Sequence, residues 1–367
     1  MRGLELSRRQ AVLALLGVVA LFAIPDLARL SPVVQLGVIH QGVAFGLAAV
    51  GLNLLLRHTR LVSFGHAAFF GTGAYATAVF AAKYDVTLMT VLLLTAVLAA
   101  AVLAAVVGYL SLRHTGLYFS LLTLAFGQLL FALVQGQSYL GSSDGLPVRP
   151  GAANQPLIFG LALDADAYAV LLYYVSIVLV LVSLLVMYRI TRSPFGTALD
   201  AIGQDRTRAQ FIGIPVRRYV WAAFVISGVY GGLAGGLYAM VQQHVRPDAT
   251  LHFLTSGDIL FMAILGGFQT LLGPFVGGIV LVMLSDMGRD VTNYFDALTG
   301  IVLVLIVFAF PRGIVGSFTG DGRVRTGLRR FVDDPTVAGA WLSNGGTAVV
   351  GAVREWLREV RSVLGVR

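Results

Sequence analysis

Apolar runs long enough to cross a bilayer alternate with short polar breaks along most of this chain. They fall at about 10–25, 35–56, 61–82, 88–112, 115–135, 168–188, 219–243 and 297–311, and a Gly-rich apolar stretch occupies 257–284. A hydrocarbon core takes about 20 helical residues. Each run therefore reads as a membrane helix, with 297–311 drawing on its polar flanks. Backbone polar groups in lipid must be satisfied within the segment, which favours helices for runs of this length. The expected fold is all-α and polytopic.

Composition supports the same class. The chain is 57% hydrophobic and only 12% charged, against roughly 25% charged residues in soluble domains. It has no cysteine, which excludes disulfides, thiolate metal sites and thiol nucleophiles. Lys83 is the single lysine and stands between Ala82 and Tyr84. A phosphate-binding P-loop needs Gly-Lys followed by Ser or Thr, so this chain does not carry its own P-loop ATPase. The net charge of +8 reads as a positive-inside membrane topology rather than a nucleic-acid surface.

Charge placement orients the helices. With Arg2, Arg8 and Arg9 inside and the runs alternating, the inner segments hold Arg57, Arg60, Arg113, the loop 189–218 and the tail. They total 21 basic and 8 acidic residues, and the outer segments 5 basic and 10 acidic. This balance requires 257–284 to cross an even number of times, as two limbs breaking near Gly266, Gly267, Gly273 and Pro274. The limbs are two short spans or a re-entrant pair, and non-helical backbone at that depth must be buried or line a cavity. The expectation is about ten transmembrane segments, both termini cytoplasmic, with 1–311 as the membrane domain and 136–167 as the longest external loop. Residues 10–25 read as a retained first helix, because no Ala-x-Ala cleavage site follows Pro25. In the cytoplasmic tail 312–367, Val349, Val353, Trp356, Val360 and Val363 step by 4, 3, 4 and 3. They make one apolar face of a helix at 349–364, which lies on the inner leaflet or packs on the protein.

Chemistry is sparse. No Asp or Glu falls in the middle of a run; Asp258 and Asp296 sit at segment ends, and His40 and His66 are the ionisable groups within spans. Coupled transporters commonly bury carboxylates as relays, so this pattern argues against a secondary transporter. Ser63 and His66 lie three apart, but no carboxylate is near to orient a catalytic pair. The segment 60–78 is dense in small residues, among them Gly65, Gly71 and Gly73, beside Ser63, His66, Phe69 and Tyr75. Such residues let helices approach closely, and the segment reads as tight packing, as a discontinuous path for solute, or as both. In 116–128, Ser120, Thr123 and Gly127 share a helix face with Gln128 beside it. These uncharged groups suit a neutral or zwitterionic solute, or hydrogen bonds between helices. In the loop 189–218, Ser193 and Pro194 start a helix to about 204, and a second follows to Gly213-Ile-Pro215. With six arginines, two aspartates, Phe195 and Phe211, the loop reads as a solvated basic segment or as a docking element with an aromatic anchor.

These segments carry a resemblance. Gly51-Leu-Asn53-Leu-Leu-Leu with Leu61-Val-Ser-Phe-Gly-His-Ala-Ala-Phe-Phe-Gly-Thr-Gly-Ala-Tyr75, then Gly116-Leu-Tyr-Phe-Ser-Leu-Leu-Thr-Leu-Ala-Phe-Gly-Gln128, Arg192-Ser-Pro-Phe-Gly-Thr-Ala-Leu199, Gly213-Ile-Pro-Val216 and Leu265-Gly-Gly-Phe-Gln-Thr-Leu-Leu-Gly-Pro274 occur in that order. The chain resembles, over about 35–316, the LivM-type permease subunits of bacterial branched-chain amino-acid ABC importers. The resemblance implies a multi-pass subunit of the bacterial inner membrane that is not itself an enzyme and binds no cofactor or metal. Its implied partners are a LivH-type sister permease, two cytosolic ATPases that hold ATP and Mg, and an extracytoplasmic solute-binding protein. It implies that 192–215 couples to an ATPase through Arg192, Ser193, Pro194, Phe195, Gly196, Asp205, Arg206 and Gly213. Family members carry roughly Glu-Asp-Glu-x-Ala-Ala before the Gly-Ile pair. Here Gln204-Asp-Arg-Thr-Arg-Ala209 keeps one acid and gains two arginines.

Import of branched-chain or other hydrophobic amino acids is the leading expectation, and a urea or short-amide permease shares its architecture. A stand-alone channel or facilitator would work without ATP, and a membrane enzyme lacks any catalytic constellation.

Overall fold

A computed structural model of the chain describes residues 35–149, 156–158, 160–161, 163–291 and 313–319, with Phe22, Pro25 and Gly300. Nearly all of the expected spans at 10–25 and 297–311, and the tail helix at 349–364, lie outside the described residues. The chain divides after Gly316 into two compact units, and the long apolar helices belong to the first.

The hydrophobic runs become helices. α1 spans Leu36–Leu54 and closes in one π-helical turn, Leu55–Thr59. α2 (His66–Lys83), α3 (Met89–Ser111) and α4 (Leu117–Gln135) follow. After a long loop come α5 (Ala165–Thr191), two short helices α6 (Pro194–Gln204) and α7 (Arg206–Phe211), and α8 (Val216–Gln242). A short α9 (Pro247–Thr250) leads to α10 (Phe253–Gly266), α11 (Gly273–Val291) and, past a gap in the described residues, α12 (Ile314–Thr319). Beyond helices the described residues hold one small sheet, in which β1 (Leu146–Pro147) pairs antiparallel with β2 (His244–Val245). It ties the loop between α4 and α5 to the end of α8.

Among the described residues, six helical segments are long and apolar enough to cross a membrane: α1 with its π turn, α3, α4, α5, α8, and α9 with α10. The stretch at 257–284 is broken where its glycines predict, since α10 and α11 are separate helices joined by 267–272. Gly267 sits at φ 104°, a conformation that side-chain-bearing residues rarely adopt. Thr270 Oγ1 donates to the Gly267 carbonyl and accepts from the Gly273 N–H at 3.0 Å, which closes the turn.

One boundary differs from expectation. The run 61–82 does not become helical until His66, so Ser63 and His66 do not share a helix. Arg60, in a left-handed conformation at φ 54°, ends the π turn. The chain then runs over α4, where Ser120 Oγ donates to the Val62 carbonyl at 2.6 Å.

Burial places the helices. α8 packs against α1, α2 and α3, and α1 also packs against α11. The apolar window of α1 is 89% buried with a mean hydropathy of 1.6, whereas that of α3 is 33% buried with 2.8. The three more hydrophobic segments, α3, α4 and α5, are thus the less buried ones, at 28–39% against 56–89% for the rest, and expose side chains such as Leu94, Leu98 and Val102 of α3. In water that inversion would be costly at about 25 cal/mol per Å2; in lipid it is not, because acyl chains are as apolar as leucine. The central helices instead carry the small residues that close packing requires.

Candidate translocation and coupling sites

The path candidates concentrate where α2 meets its neighbours. A Cβ on Gly73 would run into the backbone of Gly232 on α8, so the α2–α8 crossing requires glycine. Gly65 lies against the Thr123 carbonyl of α4, Gly127 faces Gly65, and Gly71 lies against Leu251. Phe69 is buried with its ring edge-on to His66 and to Phe224. Gly266 and Gly273 abut one another across the α10–α11 turn, with Pro274 buried at the second position of α11.

Polar candidates resolve into specific bonds. Ser227 Oγ donates its one proton to the Gly51 carbonyl at 2.6 Å. Its 2.7 Å contact with His66 Nε2 therefore requires His66 to donate there. That tautomer leaves Nδ1 as a buried acceptor without a protein partner. One serine on α8 thus fastens α1 to α2. The reading of Ser63 and His66 as a paired nucleophile and base falls away, because Ser63 Oγ accepts from the Gly65 N–H at 3.4 Å instead. Thr123 donates to the Ser120 carbonyl, while the Tyr75 hydroxyl and Gln128 Nε2 are buried without protein partners. Asn53 Nδ2 donates at 3.0 Å to the Thr270 carbonyl, linking the end of α1 to the α10–α11 turn. His40, which the sequence marks only as ionisable, contacts Ser176 Oγ of α5 at 2.7 Å.

The coupling candidates form a capped helical pair at the other end of α5. Ser193 caps α6, accepting from the Gly196 N–H at 3.5 Å and donating to the Ile190 carbonyl at 2.7 Å, with Pro194 opening the helix. Gly196 is pressed against the Thr191 backbone. The remaining acid, Asp205, caps α7 through the Thr207 and Arg208 N–H groups at 2.9 and 3.1 Å. Arg206 is half-buried, and desolvation lowers its guanidinium pKa from the ordinary value. Gly213, at φ 86°, turns the chain toward α8. Arg192 lies over the Tyr188 ring at 4.9 Å. Phe195, half-buried, stacks on Tyr219 of α8 at 5.4 Å. The exposed apolar side chains are Phe211, at 86%, and Ile212, at 73%. Phe211 is one of the two aromatics that the sequence offers as an anchor, whereas Ile212 is singled out only by its exposure in the folded loop.

Two further features escape the sequence. His58, buried in the π turn, contacts Asp200 of α6 through Nδ1 and Oδ1 at 2.6 Å. Gly203 of α6 lies against the His58 carbonyl. The second feature is a cavity of about 620 Å3 where α1 begins, α8 ends, α10 begins and α11 ends. Arg246, Asp248, His244 and His252 stand around it, with Phe45 and Leu281 in its apolar wall. None of the path candidates lines it.

Among the described residues no three His, Asp or Glu groups gather to hold a metal. Apolar helices exposed on their outer faces and joined through small-residue crossings define a multi-pass membrane protein. Residues 35–307 match the family described as the permease component of branched-chain amino-acid transport systems, and the chain belongs to that family. With its spanning helices it is a multi-pass protein of the bacterial inner membrane. It is 28% identical to the high-affinity branched-chain amino-acid transport permease LivM of Escherichia coli over 283 residues, 72% of this chain and 66% of that protein. LivM of Salmonella typhimurium is 27% identical over the same shares. LivH of Salmonella typhimurium is 23% identical over 75% of this chain and 92% of its own length. The chain thus spans just under two thirds of the length of its LivM relatives. No solved structure matches.

Proposed function

We propose that the chain is the LivM-type membrane subunit of an ATP-driven importer for branched-chain and other hydrophobic amino acids. It would form half of a translocation path with a LivH-type sister permease. Two cytosolic ATPases would supply ATP and Mg chemistry on other chains, and an extracytoplasmic binding protein would deliver the solute. The chain itself would catalyse nothing and bind no cofactor. In this reading the bundle has about ten segments with both termini cytoplasmic, which puts α6 and α7 inside and the cavity outside.

One observation carries it most: the capped pair α6–α7, braced against the membrane helices by His58–Asp200 and Phe195–Tyr219, presents Phe211 and Ile212 outward near the Arg208–Asp205 pair. An exposed apolar centre with a charged rim is the make-up of a protein-docking surface. The match to a branched-chain amino-acid permease family supports the substrate class. Among the path candidates, His66 Nδ1, the Tyr75 hydroxyl and Gln128 Nε2 are uncharged polar groups without a protein partner, which suits a zwitterion better than a bare ion.

The test is gentle purification of the chain from its native cells with mass identification of co-purifying proteins, followed by reconstitution and uptake of labelled leucine or urea. A second permease and P-loop ATPases, with ATP-dependent leucine uptake, are expected. A chain that emerges alone and passes solute without ATP would identify a facilitator. Uptake of urea but not leucine would move it to the amide branch.

A further inference from the structure

The cavity where α1 begins and α8 ends has the mixed apolar and charged lining of a small-molecule site. Its about 620 Å3 lies within the ~300–1,000 Å3 of pockets that take small ligands. One wall is aliphatic and aromatic, from Val38 and Phe45 of α1, Met262 of α10, and Leu281 and Val282 of α11. The same lining carries charge of both signs: Arg246 at the start of α9, Asp248 in its first turn, Asp258 of α10, which is already engaged in an interaction of its own, and Asp286 near the end of α11. Arg246 and Asp248 are exposed, and neither they nor Asp286 forms an ion pair with another described residue. Beside them His252 is committed, since its Nδ1 accepts the Leu254 N–H and its ring packs on Phe131.

We propose that this cavity is a reception site for the free neutral amino acid. Arg246 takes the α-carboxylate, Asp248 and Asp286 take the α-ammonium, and the Val38–Phe45–Leu281 wall takes the aliphatic side chain. The inference rests on the import reading above and adds to it a solute-recognising surface on the permease itself. Guanidinium suits a carboxylate because its planar donors match both oxygens. An amino acid without a charged side chain gains from the cavity only if both main-chain charges and the apolar wall are engaged, which would give the permease its own selectivity.

The experiment uses the assembled importer, with binding of tritiated L-leucine measured in the absence of the solute-binding protein and uptake measured with it. Arg246→Gln and Asp248→Asn are expected to weaken leucine binding about tenfold or more, as loss of a charge-assisted partner does. Val38→Phe, which narrows the apolar wall, is expected to lower leucine uptake roughly tenfold relative to alanine. Affinity for the solute-binding protein should be unchanged in all three. The proposal is overturned if the wild-type importer takes up leucine yet binds none without the binding protein, or if the variants bind leucine as the wild type does. It is equally overturned if Arg246→Gln weakens only the binding protein's attachment, which would make the charged rim a protein-docking surface. If the wild-type importer moves no neutral amino acid at all, the import reading fails, and this one with it.

Discussion

Replacing Asp200 by alanine would cut the His58–Asp200 contact and loosen the coupling pair from the membrane helices. The contact joins Nδ1 of His58, whose side chain is 7% exposed, to Oδ1 of Asp200, which is 50% exposed, at 2.6 Å. A sheltered hydrogen bond to a charged group is worth about 1.5–3 kcal/mol, and a fully exposed pair about 0.2–1 kcal/mol. Half-sheltered geometry sets this one at about 1 kcal/mol. That is roughly a fivefold shift in the balance between seated and unseated α6. Uptake per ATP hydrolysed in the reconstituted importer should therefore fall several-fold without being abolished. His58→Ala, Asp200→Ala and the double variant form a cycle in which the double should be little worse than the worse single. If the two losses simply add, His58 does not act through Asp200 and the brace is not a coupling element. Gly203→Ala is a sharper probe of the same seat, because its Cβ would strike the His58 carbonyl. It should uncouple more strongly than either deletion.

Other expectations follow from the packing. Phe211→Ala with Ile212→Ser should leave thermal stability within about 0.5 kcal/mol, as exposed substitutions do, yet remove ATP-driven uptake. Phe195→Ala should lower stability as well, since its ring is stacked on Tyr219; detergent melting curves separate the two. Ser227→Ala strips partners from both the Gly51 carbonyl and His66, at about 1–3 kcal/mol for each buried group left unmade. A lower melting temperature is expected, and an unchanged one would refute the network. Gly73→Val should prevent assembly of the α2–α8 crossing, whereas Gly37→Ala, with no atom near its added carbon, should be silent by size-exclusion profile. A tag after Arg367 should be shielded from reagents added outside intact cells, and labelling there would overturn the two-limbed crossing of 257–284.

Local chemistry made much of this protein legible in its sequence. Helices follow from apolar runs in a solvent that offers no hydrogen bonds. The start of α6 follows from Ser193 and Pro194, and the break between α10 and α11 from Gly267, whose conformation few other residues adopt. These signals act within a few residues. What joins distant positions was not legible. Ser227 as the partner of His66 lies 161 positions away, and Asp200 as the partner of His58 lies 142 away. Hydropathy does not separate a lipid-facing leucine from a core one, so which face of α3 or α5 is peripheral is visible only in the packed bundle. For the same reason Phe195 and Phe211 look alike on paper. The cavity joins α1 to α8–α11, so it exists only once those helix ends are brought together by packing. Periodicity and capping determined the elements; close approach of small residues in the folded bundle decided which elements meet, and therefore which side chains are free to act.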